Sequence, residues 1–241
     1  MRLPTIQGII KRRILVNFRA DPYVVQKQLP PRFRPKLQNG HAVVGICLIR
    51  LEHLRPKLVP SFAGLNSENA AHRIAVLWDD ENGREHEGVF IPRCDTNSPV
   101  NLLLGGRVFP GEHHRATFSV RETPSRISFA MRSTDHEVAV SLEASMSPAL
   151  PTDSVFNSLS DASTFFEHGS LGYSLTRTTG RLDGLKLKTR NWKVAPLTVS
   201  MVRSSYFSDK SHFPLGSVEF DHALIMRDIS HEWYTADNLY V

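Results

Sequence analysis

The sequence predicts a mainly β protein: a single domain over residues 1–241, built as a large antiparallel β-barrel or cone with a few short peripheral helices. Three observations lead there. Strand-type runs recur along the chain, helical periodicity is confined to three short stretches, and glycine-containing turn pairs separate the runs. So many strands in one open layer would leave unpaired edges, and closure removes them.

The strand runs fall at 14–18, 42–51, 72–77, 88–91, 115–120, 126–131, 137–144 and 197–202. Between the first two, Asp21 and Pro22 read as an N-cap followed by proline at the first helical position. The stretch PYVVQKQL then gives about two turns before Pro30 and Pro31 stop it. Ser98 and Pro99 repeat that start ahead of VNLLL, which Gly105 and Gly106 end. Ser160 or Asp161 caps ASTFFEH, which stops at Gly169. Turn signals stand at Asn39-Gly40, Glu81-Asn82-Gly83, Thr179-Gly180 and Asp183-Gly184, and 79–83 reads as a hairpin. SMSPALPTDSVFNSLS is the most loop-like segment, and no repeat or linker divides the chain.

Composition narrows the function classes. At 41% hydrophobic and 22% charged residues with two cysteines, the chain is neither a disordered tail nor a disulfide scaffold, and no apolar run is long enough to span a bilayer. The first thirteen residues, MRLPTIQGIIKRR, lack a signal-peptide core, so the expected address is cytoplasmic and no membrane partner is expected. Lys and Arg number 29 against 24 Asp and Glu, a formal +5, but the basic residues are scattered and no nucleic-acid-binding motif accompanies them. An anionic small molecule suits scattered arginines, and so does solubility. Cys47 reads as a small buried hydrophobe and Cys94 as a free thiol at a loop edge.

Residues 97–118, NSPVNLLLGGRVFPGEHHRATF, gather a capped helix, a glycine pair, Arg107, Glu112, His113 and His114. Titratable groups beside a glycine-bent backbone suit a small-ligand site. The bland reading is a helix stop and two solvated histidines. Adjacent residues on a strand face opposite ways, so His113 and His114 cannot share a metal without a bulge, and no ligand spacing occurs elsewhere: no metal is expected. The glycine pair has neither a GxGxxG nor a Walker pattern, and no GxSxG elbow is present, so no cofactor is expected. Glu68, in the polar, turn-prone start of GLNSENAAHRIAV, is a candidate general base or partner of Arg107; as an isolated loop acid it would mean nothing.

The ordered segments FRADPYVVQKQLPPRF, HAVVGICLIRL, NSENAAHRIAV, GVFIPRCDTNSP, GGRVFPGEHH, FFEHGSLGYS and DHALIMRDISHEW resemble the uncharacterised, YqjF-type branch of the acetoacetate decarboxylase-like superfamily. The resemblance implies a β-barrel or cone with an internal pocket, and a family chemistry of Schiff-base decarboxylation by lysine. In that family an arginine after a glycine precedes a Pro-Lys-Lys sequence. Here the similar stretch runs from Gly106-Arg107 to His113-His114, with histidines where the lysines stand, and imidazole cannot form the imine. Lys186 and Lys188 share one strand face in LKLK, so either is a candidate to enter the pocket from elsewhere. The family's glutamate matches Glu68 in placement, and its N-terminal arginine matches the run 11–13 loosely. Relatives form oligomers, so the resemblance admits a homo-oligomer.

The first functional expectation is therefore a soluble barrel holding a small anionic or carbonyl-bearing ligand, with Arg107 and Glu112 as ligand-binding residues and Glu68, His113 and His114 as catalytic candidates. The alternative is a lysine-independent acid/base enzyme (lyase, isomerase or hydrolase) acting on a keto or carboxylic acid. A third reading is an interaction module whose interior its own side chains fill.

Overall fold

The computed structural model describes residues 5–104, 111–176 and 178–240. β1 (Ile6–Ala20) leads into α1 (Pro22–Gln26), the short β2 (Arg34–Pro35) and β3 (Leu37–Gln38), then the long β4 (His41–Pro56) and β5 (Leu65–Asp79). β6 (Glu85–Thr96), α2 (Pro99–Leu104), β7 (His113–Glu122), β8 (Arg126–Ser133) and β9 (Ala139–Met146) follow. α3 (Leu159–His168), β10 (Leu171–Leu175), β11 (Arg181–Thr189), β12 (Ala195–Ser204), α4 (Ser205–Ser208) and β13 (Val218–Tyr240) complete the order.

All the strands join one sheet, and that sheet forks. One half of β13 pairs with β12 (Leu197 opposite Ala223), the other with β11 (Lys186 opposite Tyr234). β6 divides likewise, pairing with β10 at Val89 and Phe90 and with β7 at 94–96. Two closed circuits result, one through β7, β8, β9 and β12, the other through β10 and β11, sharing β13, β1, β4, β5 and β6. The shared wall is thereby buried on both faces, and its strands read as near-continuous apolar runs such as AVVGICLI in β4. Ile14, Val16 and Phe18 of β1 pack into one core with Leu48, Phe129 and Leu142; Leu15 packs into the other with Val43, Phe165 and Phe166. Most pairings are antiparallel as expected, but β6 runs parallel to both β7 and β10, because α2 and α3 lie on the intervening crossovers.

Local signals account for many of the ends. Asn39 and Gly40 take positive φ (46° and 79°) in the two-residue turn from β3 to β4, where a left-handed pair matches the strand twist. Asp21 caps α1 through its Oδ1, which accepts from the Tyr23 N–H at 2.8 Å. The helix covers only Pro22–Gln26, shorter than its apolar pattern suggests, and Gln26 Nε2 donates to the Phe33 carbonyl at 3.0 Å. Ser98 caps α2, its Oγ accepting from the Asn101 N–H at 3.2 Å.

Three expectations need correction. The cap of α3 is Ser158, whose Oγ accepts from the Asp161 N–H at 3.1 Å, so Ser160 and Asp161 sit inside the first turn. Asp183-Gly184 is no turn but the middle of β11; a Cβ on Gly184 would lie 2.6 Å from the Tyr173 ring, and glycine is there for that close approach. The polar stretch at 65–71 is not a turn before a strand but the first half of β5 itself. Its polar side chains find partners on the neighbouring strands, which is what lets them enter a sheet. Among the described helices none is long and apolar enough to cross a membrane.

Candidate functional site

Arg13 and Arg73 reach the second circuit's side of the shared wall and line a cavity of about 170 Å³. Ile49, Leu51, Val89, Ile91, Leu185 and Leu187 supply apolar walls, while Asn69, Asn101, Ser174 and His113 add polar groups. That mixture of an apolar lining and a few convergent polar groups suits a small ligand. Larger depressions occur elsewhere, such as the groove along Gln7, His53 and Arg190, but they do not join buried cations to apolar walls.

Arg73 is the unusual member. It is 5% exposed, its Nε lies buried with no hydrogen-bond partner, and it forms no ion pair with a carboxylate among the described residues. Burial pulls its pKa down to about 10, so it stays charged at neutral pH. Its guanidinium packs 4.7 Å from the centre of the Phe166 ring. The side chain crosses β4 at Gly45, in register between Asn17 and Arg73, and Nη2 donates to Asn17 Oδ1. A Cβ on Gly45 would stand 2.4 Å from the Val16 carbonyl and 3.3 Å from Asn17 Oδ1.

Behind Asn17 runs a buried polar chain. Asn17 Nδ2 lies 2.9 Å from His222 Nε2, and His222 Nδ1 lies 2.5 Å from Asp221 Oδ2. With Asn17 donating, Nε2 accepts and Nδ1–H donates to the carboxylate. Burial pulls the Asp221 carboxyl upward, but hydrogen bonds from His222, the Val155 N–H and the Ser154 hydroxyl outweigh it and hold the group below its usual value. Arg73 thus reaches the Asp221 carboxylate along this chain only through Asn17 and His222, which hold it in place without pairing it directly with an acid. Arg13 likewise lacks a carboxylate partner among the described residues: its Nε donates to Cys47 Sγ at 3.1 Å.

The candidate residues from the sequence divide between places. His113 lines the cavity; burial lowers its pKa, and its Nδ1 lies 3.3 Å from the Gly111 carbonyl, which makes Nε2 the basic nitrogen. His114 points the other way and lies 3.1 Å from Asp135, on the network in which Arg93 binds Asp95, Asp135 and Glu137. Glu68 is buried on the opposite face of β5, where it accepts from Arg12 Nη2 at 2.5 Å and from Arg50 Nη1 at 3.4 Å. Glu112 is exposed and is not part of the cavity lining. Arg107 and the glycine pair lie outside the described residues. Lys186 and Lys188 are exposed on the outer face of β11, whose Leu185 and Leu187 face inward. Cys94 is not at a loop edge: it lies in β6 and lines the cavity, and burial pushes its thiol up to about 12. Among the described residues no three His, Cys, Asp or Glu side chains group as a metal site.

The family model of the uncharacterised conserved proteins of domain DUF2071 matches residues 10–224. The chain belongs to this family. No curated protein sequence matches it. Among solved structures, this DUF2071 chain is similar to an acetoacetate decarboxylase from Legionella pneumophila, with TM-score 0.61 and 11% identity over 99% of this chain and 88% of that one. An acetoacetate decarboxylase-like enzyme from Sphingomonas wittichii RW1 aligns with TM-score 0.57 and 10% identity, covering 98% and 92%. The enduracididine biosynthesis enzyme MppR, in complex with pyruvate, aligns with TM-score 0.58 and 11% identity, covering 98% and 89%. The DUF2071 chain therefore has the acetoacetate decarboxylase-like fold. No lysine is among the described residues that line its cavity.

Proposed function

We propose that this protein binds a small carboxylate in the cavity, with Arg73 and Arg13 as its anion partners. The observation that carries this reading is the buried Arg73 guanidinium, which makes no ion pair among the described residues; Asp95, the carboxylate that also lines the cavity, is taken up by Arg93. Leaving such a charge uncompensated costs several kcal/mol, and a bound anion offsets that cost. Size agrees. A cavity of about 150 Å³ holds benzene, so the volume here suits a ligand of roughly six to eight non-hydrogen atoms. MppR, which shares the fold, is complexed with pyruvate, a ligand of that size and charge. The apolar walls meet the short carbon chain.

No lysine is among the described lining residues, so the reading needs no amine nucleophile. Calorimetric titration with pyruvate and acetoacetate, set against their neutral methyl esters, tests it. The acids bind, the esters bind at least about tenfold more weakly, and Arg73→Gln removes the difference; Arg13→Gln serves should the first variant not fold. Equal binding of acids and esters overturns the reading. Borohydride treatment with either acid leaves every lysine unmodified, and a reduced lysine adduct overturns the amine-free part.

One observation favours a second reading, an acid/base enzyme acting on the same ligand. His113 stands at the cavity as a neutral imidazole, the state needed to take a proton from carbon next to a carbonyl. Solvent deuterium exchange into the methyl group of bound pyruvate, lost in His113→Gln, distinguishes turnover from binding alone.

A further inference from the structure

Cys47 sits where the two cavity arginines meet. On β4 it lies opposite Leu15 of β1 and Ala71 of β5, two positions from the rows that hold Arg13 and Arg73. Its sulfur accepts the 3.1 Å hydrogen bond from Arg13 Nε, and both Cys47 and Arg73 line the cavity. Cys47 is itself buried from bulk water yet lines the cavity. The unpartnered Nε of Arg73, in the same cavity, is the independent sign that an anion belongs there.

We propose that Cys47 is a covalent acceptor for short carboxylates that carry an electrophilic carbon. The proposal rests on the carboxylate-binding reading, because the arginines must bring the reagent's anionic end to the thiol. The thiolate is the attacking species, and a guanidinium hydrogen bond stabilises charge on sulfur. With a 2-haloacid, the thiol proton passes to solvent, the sulfur electron pair forms the S–C bond, and the carbon–halogen bond breaks to release halide. With a 2,3-unsaturated acid, sulfur bonds to C3, the double-bond electrons shift toward C2, and C2 takes a proton from solvent. Atoms and charge balance in both, with no further reactant.

Cys94 is a control inside the same cavity. It lies across Ala71 from Cys47, two strands away, too far for a disulfide, and its sulfur receives no guanidinium hydrogen bond among the described residues. Any reagent that enters meets both thiols, and because burial holds the Cys94 thiol at about 12, the readout that reports the arginines is the ratio of iodoacetate to iodoacetamide labelling at each thiol.

The test uses the whole chain with iodoacetate and iodoacetamide at equal concentration, following alkylation of Cys47 and Cys94 by peptide mass spectrometry. Simple thiols react faster with iodoacetamide. At Cys47 the order inverts, iodoacetate being faster by about tenfold, the scale of electrostatic steering into a charged cleft. Pyruvate slows the reaction, Arg73→Gln abolishes the inversion, and Cys47→Ser removes the labelled peptide. Iodoacetamide reacting faster at Cys47, or Cys94 being labelled ahead of Cys47, overturns the proposal. Should pyruvate bind by calorimetry while Cys47 stays unlabelled until urea is added, the covalent proposal fails and the binding reading stands; should neither pyruvate binding nor iodoacetate preference be found, both fail.

Discussion

Arg12 and Arg13 are consecutive on β1 and serve opposite sides of one wall. Arg12 turns into the first circuit, where it meets Glu68 at 2.5 Å and Glu122 at 3.2 Å. Arg13 turns into the second, where its partners are the Cys47 sulfur and the Trp192 ring, 5.9 Å away. Strand alternation makes this division unavoidable once both faces of the wall are covered. It separates an arginine paired with carboxylates, suited to holding strands together, from one that meets no carboxylate among the described residues.

Glu68→Gln tests that separation. Arg12 is 2% exposed, and removing the nearer of its two carboxylates leaves a buried cation poorly compensated. The expected result in urea unfolding is a loss of about 3 to 5 kcal/mol, with carboxylate affinity unchanged because Glu68 does not face the cavity. Loss of binding with full stability would instead place Glu68 in the ligand site.

How much of this was legible in the sequence follows from which residues obey simple alternation. β4 announces its strand by the uninterrupted apolar run AVVGICLI, and β8 and β12 announce theirs by alternating apolar with polar residues. β13 does not: Asp221, His222, Asp228 and His231 break its pattern, three of them are buried, and the partners of Asp221 and His222 at Ser154, Val155 and Asn17 lie too far away in sequence for a local reading to supply. The start of β5 misled for the same reason, since Glu68 in a strand makes sense only beside Arg12 and Arg50. The pairing of His113 with His114 in sequence drew attention to the right segment and yet placed only one of them at the cavity. Arg73 passed unnoticed as part of HRIAV. A signal was present: it is a charged residue on a strand face whose neighbours two positions away, Ala71 and Ala75, are small and apolar.

The two histidines should therefore respond differently. His113→Gln is expected to weaken pyruvate binding by roughly tenfold, since it removes a lining group of matched polarity. His114→Gln should alter affinity by less than about twofold and stability by under about 1 kcal/mol, because its contact with Asp135 is half-exposed. Titration calorimetry on both variants measures this, and equal losses would mean that both rings reach the ligand.

Gly45→Ala asks whether the route of Arg73 across β4 matters. The added methyl group would meet the Val16 carbonyl at 2.4 Å and crowd the oxygen that holds Arg73. Overpacking of this kind costs about 1 to 3 kcal/mol. The specific expectation is a loss of carboxylate affinity larger than that of its neutral ester, read from paired titrations; a parallel loss of both would assign glycine to packing alone.

Acid should destabilise the fold through its buried neutral histidines. Burial, with Arg93 nearby, lowers the pKa of His72 to about 3, and burial with Arg13 nearby lowers that of His231 to about 4. Both lie below the value of about 6.5 that the unfolded chain takes. As pH falls past that value the unfolded state gains protons that the native state refuses, so stability is fully present above it and is lost on the way down to the folded pKa values. At about pH 5 the loss from His72 alone is about 2 kcal/mol. His72 packs at 4.5 Å from the Tyr206 ring centre, so His72→Phe keeps an aromatic ring there while removing the titration. Urea unfolding of the wild type and the variant at neutral pH and at pH 5 is the measurement. The variant should lose about 2 kcal/mol less on acidification, and equal losses would show that His72 carries its proton in the folded protein.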